Sequence, residues 1–94
     1  MAQLESREFI EHAQSVLRRI ETYERSGAHE IARNDLDTAR REIGAMLASA
    51  SMQGSPRERR YRTLTRMVVD QWPLGHALGI AISELEEEYA RLFG

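Results

Sequence analysis

The stretch DQWPLGHALGIAIS, residues 70–83, decides the fold. Between Gln71 and Ser83 the only ionisable side chain is His76, while Trp72, Leu74, Leu78, Ile80 and Ile82 crowd together around Pro73, Gly75 and Gly79. Exposed in full, such a run would aggregate, so the remaining chain is expected to serve as its cover. Pro73 lacks an N–H and its ring clashes with the preceding turn, so a helix entering this stretch must end or kink near 69–72. A final helix then runs over about 74–92, with Asp70 as a candidate cap. Its opening half is apolar almost all round, which predicts burial on every side. Its second half sets Leu85, Tyr89 and Leu92 against Glu84, Glu86, Glu87 and Glu88, read as a solvated acidic face.

Working back from this stretch, Ser55-Pro56-Arg57-Glu58 is a strong helix start. Ser55 can cap, proline suits the first helical position, and Glu58 completes a capping box. A helix over about 56–71 follows, with Tyr61, Leu64, Met67, Val68 and Trp72 at steps of three and four. Before it, SASMQG has no period, which predicts an interior linker near 49–55.

The first half of the chain reads as a helical hairpin of about 3–25 and 28–50. Phe9, Ile10, Ala13, Val16, Leu17, Ile20 and Tyr23 form one stripe, and Ala32, Leu36, Ala39, Ile43, Met46, Leu47 and Ala50 form the other. Ser26-Gly27 marks the reversal. Arg7–Glu11 and Glu21–Arg25 are spaced for ion pairs within the first helix. Gly44 and the alanines near it offer a surface that a neighbouring helix can approach closely. The expected fold is therefore all-α, one domain over 1–94, packed as a four-helix bundle or an irregular helical domain.

A chain of 94 residues is limited to one core. With 41% hydrophobic and 30% charged residues it has the composition of a globular protein. There is no cysteine, which excludes disulfides and thiolate chemistry and suits a cytoplasmic setting. Charges at Glu5, Arg7, Glu8 and Glu11 interrupt any signal-peptide core, and the apolar run near Leu74–Ile82 is too short to span a bilayer, so no membrane role is expected. All thirteen cations are arginine. They concentrate in residues 55–72, while the end of the chain is acidic.

Two surfaces stand out as candidate sites. The first is Trp72, Leu74, Gly75, Leu78, Gly79 and Ile82. Tryptophan is enriched at binding hot spots, and Gly75 and Gly79 are spaced for close helix contact across a dimer or within the monomer. The second is the run Arg57, Arg59, Arg60, Tyr61 and Arg62, with Arg66, which can grip phosphates and stack on a base. Against it stand the net negative charge and the acidic last helix, which would pair with these arginines or repel nucleic acid. His76 reads as a packed or capping residue, and Glu8 with His12 as a surface pair with too few ligands for a metal. No nucleophile with its base, phosphate loop or paired acids has usable spacing, so no enzyme and no cofactor are expected. The favoured function is a non-enzymatic protein-interaction module (adaptor, small chaperone or regulatory subunit) whose partner is another protein or, as a homodimer, itself. Nucleic-acid binding through the arginine-rich helix is the alternative.

Overall fold

The structure, a computed structural model, describes residues 2–51 and 63–93, with side chains over 7–50 and 63–92. These residues form four helices and no strand: α1 (Ala2–Arg25), α2 (Arg33–Ser51), α3 (Thr63–Gln71) and α4 (Ala77–Phe93). The all-α fold expected from the periodicity is the fold observed. The residues from 49 to 51, expected in a linker, belong to α2. Residues 52–62, which hold the expected helix start at Pro56, lie outside the described part.

α1 packs against both α2 and α4, and α3 packs against α4 and more lightly against α2. Each helix contributes its periodic stripe to one core. Phe9, Ala13, Val16 and Ile20 come from α1, and Leu36, Ala39, Ile43 and Met46 from α2. Leu64 comes from α3, and Leu78, Ala81, Ile82, Leu85 and Tyr89 from α4. Burying each of these large side chains is worth about 1.5–3 kcal/mol. The Phe9 and Tyr89 rings meet at 5.5 Å with a 57° tilt, an arrangement that aromatic quadrupoles favour.

The reversal between α1 and α2 is longer than the sequence suggests. Gly27 takes φ +77°, as a helix-ending glycine should. The chain then stays irregular to Ala32, because Ile31 turns inward and is only 4% exposed. Its N–H donates to the Tyr23 hydroxyl at 3.2 Å, so α1 holds the loop that precedes α2. Ala32, expected on the inner stripe, is exposed as a result.

Nor do the expected ion pairs within α1 form. The pairs that do form are largely tertiary. His12 Nδ1 lies 2.8 Å from Glu88 Oε2, joining α1 to α4. Arg40 pairs with Glu24, joining α2 to α1, and also with Asp37 at 3.3 Å.

Close helix approach occurs at Gly79, not at Gly44. A Cβ on Gly79 would sit 2.8 Å from Val68 Cγ1 and 3.2 Å from Trp72 Cε3, whereas one on Gly44 would meet nothing within 4 Å. Gly44→Ala should therefore raise stability by about 0.5–1 kcal/mol, through helix propensity alone. Gly75→Ala should lower it by about 1 kcal/mol or more, because φ +77° strains any L side chain. Thermal melts of the two variants should move in opposite directions.

Candidate functional site

Pro73 separates two helices. α3 closes with the Trp72 N–H donating to the Val68 carbonyl at 3.1 Å. A turn through Leu74 and Gly75 follows, in which the His76 N–H donates to the Pro73 carbonyl at 3.2 Å. α4 begins at Ala77, so the expected start at 74 moves by three residues, and Gly75 falls in the turn with φ +77°. Gly75 and Gly79 therefore do not share a helix face.

The cap of α4 is His76, not Asp70. Its Nδ1 accepts from the Leu78 N–H at 3.2 Å, satisfying a donor that the first turn leaves without a partner. Its Nε2 stands 3.4 Å from Glu30 Oε2. The ring meets Tyr23 edge-on at 5.5 Å and Trp72 at 6.5 Å. Asp70 instead lies 4.0 Å from Arg66 on the solvent side of α3.

Trp72 faces inward, 5% exposed, over Gly79. Its indole Nε1–H donates to Asp35 Oδ2 at 3.2 Å. The Gln71 amide, turned with its nitrogen toward Asp35, adds donors at 3.0 and 3.1 Å. Asp35 sits in the first turn of α2, so the end of α3 is tied to the start of α2 by one carboxylate.

The residues of the first candidate surface thus divide. Trp72, Leu78, Gly79 and Ile82 are interior, covered by their own chain, while Leu74 is 104% exposed and Gly75 is also at the surface. The opening half of α4 is buried on most sides but not all, since Ala77 and Ile80 are exposed, Ile80 at 49%. Of the arginine-rich surface, Arg57, Arg59, Arg60, Tyr61 and Arg62 lie outside the described residues. Arg66 is exposed and paired with Asp70.

The acidic run at 84–88 is not one solvated face. Glu86 is 1% exposed. Its Oε2 accepts from the Leu64 N–H at 3.2 Å and its Oε1 from the Thr65 N–H at 2.9 Å. These donors sit in the first turn of α3, where no intrahelical carbonyl reaches them, and the positive end of the helix dipole favours a carboxylate there. Glu86 therefore ties α4 to α3 from within. The signal was present in the spacing: Glu86 follows Ile82 by four and precedes Tyr89 by three, which places it on the inner stripe.

An open groove of about 890 Å³ lies beside α3, with Asp35, Thr38, Arg66, Val69 and Asp70 among its lining. Its carboxylates are already engaged by Trp72, Gln71 and Arg66. Among the described residues no three His, Asp or Glu side chains gather as a metal site, and no helix is long and apolar enough to cross a membrane. Comparison with protein-family models, curated proteins and solved structures finds no match for this chain.

Proposed function

We propose that this chain is a non-enzymatic protein-interaction module, an adaptor, small chaperone or regulatory subunit, that docks through the corner between α3 and α4. The observation that carries the reading is a contrast in burial. The core is closed, yet Leu74 is 104% exposed, Val69 72% and Ile80 49%. Single exposed apolar residues are ordinary, but Leu74 stands on a turn held by Pro73 and the His76 cap, so presenting it to a partner costs little further ordering. Covering Leu74 alone is worth about 1.5–3 kcal/mol. The groups that chemistry would require, Glu86, Asp35, His12 and His76, are engaged as caps and ties between helices, which favours structural roles for them. The reading includes a cytoplasmic setting and a homodimer or a complex with another protein.

Leu74→Asp tests it without touching the core. Sedimentation equilibrium reads self-association, and the wild type and variant used as baits in native lysate read heterologous docking. The expected result is a dimer or a captured protein seen with wild type and lost in the variant, with an unchanged melting temperature. A wild type that stays monomeric at all concentrations and captures the same set as the variant contradicts the proposal.

A further inference from the structure

We propose that the solvent-facing line of α4, from the Leu74 corner through Ala77, Ile80, Glu84 and Glu87, docks a helix of a different protein that carries aliphatic side chains followed by arginine or lysine. The inference rests on the reading of this chain as an interaction module and adds the chemistry of its partner. Ala77, Ile80, Glu84 and Glu87 are all exposed, and their steps of three and four put them on one side of the helix. At 1.5 Å per residue the line from Ala77 to Glu87 is about 15 Å long, close to three turns. Its character changes along that length, apolar in the first turn and anionic in the next two. Glu86 and Glu88, between and beside these positions, are engaged inward by α3 and by His12. Glu84 and Glu87 have no ion pair in the described structure, so two carboxylates stand unneutralised beyond an exposed isoleucine.

Charge argues against a second copy of α4 as the occupant. Parallel pairing sets Glu84 on Glu84 and Glu87 on Glu87. An antiparallel register that brings Arg91 to the other copy's Glu84 leaves Ile80 and Leu74 of both copies uncovered. A register centred on Ile80 covers the apolar turn but carries Glu84 and Glu87 toward the His76 and Pro73 end of the other copy, where there is no arginine. A helix with two aliphatic side chains one turn apart and basic residues in the following turns covers both halves at once. Arg91, exposed one turn past Glu87, limits how far the basic part can extend.

The test is an NMR titration of the full chain with a synthetic alanine-based helix of about 15 residues, carrying two leucines one turn apart and two arginines in the next turns. A second peptide has glutamate in place of arginine. The expected result is amide shift changes centred on Leu74, Ala77, Ile80, Glu84 and Glu87, with the arginine peptide bound about 10-fold tighter at low salt and the difference shrinking as salt rises. In a Glu84→Arg/Glu87→Arg double variant the preference should reverse, and Leu74→Ala should weaken binding about 10-fold. Equal binding of both peptides, or no peptide binding in a chain whose self-association or lysate capture is lost with Leu74→Asp, overturns the basic partner and leaves the interaction module standing. Absence of peptide binding, of self-association and of any captured protein lost with Leu74→Asp overturns both.

Discussion

Glu86→Ala is expected to lower the stability of the fold by about 2–5 kcal/mol, since each buried N–H left without an acceptor costs about 1–3 kcal/mol. The substitution strips the acceptors from the Leu64 and Thr65 N–H groups and leaves space where a nearly fully buried side chain stood. A small domain has only about 5–15 kcal/mol in hand, so the variant should melt far earlier than wild type. Glu86→Gln keeps the shape and one acceptor oxygen but turns an amide N–H₂ toward the second donor. It should fall between wild type and alanine, losing about 1–3 kcal/mol. Urea unfolding of the three proteins reads the order directly. By contrast Glu87→Ala, on the exposed side of the same helix, should stay within about 0.5 kcal/mol of wild type. If Glu86→Ala also stays within that margin, the carboxylate does not hold α3.

Trp72→Ala should be at least as damaging, at about 3–5 kcal/mol. The indole fills the space that Gly79 leaves beside Val68, and its N–H reaches Asp35 on α2. Trp72→Phe retains much of the packing while losing the hydrogen bond, and should cost about 1–2 kcal/mol, with Gln71 still donating to Asp35. Asp35→Ala leaves the buried indole N–H unpaired and should therefore cost more than Trp72→Phe. Chemical denaturation of these variants separates packing from the tie between helices. Any loss of partner binding in Trp72→Ala would follow from loss of fold, which is why Leu74, not Trp72, is the position that tests docking.

The helices themselves are legible from the sequence because the period of Phe9, Ala13, Val16 and Ile20, and of Leu36, Ala39, Ile43 and Met46, reports the inner face directly. Pro73 likewise marked the break between α3 and α4. What periodicity does not carry is which helix meets which. The apolar opening of α4 predicts a cover without saying which helices supply it, and the helices that pack on α4 are α1 and α3. The start of α2 differs from the pattern because Ala32 continues the stripe in sequence, while Ile31 takes the core position through its bulk and the Tyr23 hydrogen bond. Spacing alone puts Gly75 on a helix, because it does not reveal a positive φ. Glu86 was hidden among four glutamates of the last helix. Composition makes that run look solvated, and only its position on the inner stripe distinguishes it.

With Trp72, Leu78 and Ile82 interior, the exposed apolar surface at the corner is Leu74, Ala77 and Ile80. Trp72 closes the corner from inside and leaves Leu74 outside. Trp72 is the chain's one tryptophan, so its fluorescence reports this without labelling. Native emission should be blue-shifted and strongly protected from iodide quenching, with both lost on unfolding in urea. Native emission at the wavelength of free indole in water, with quenching equal to that of the unfolded chain, would contradict it.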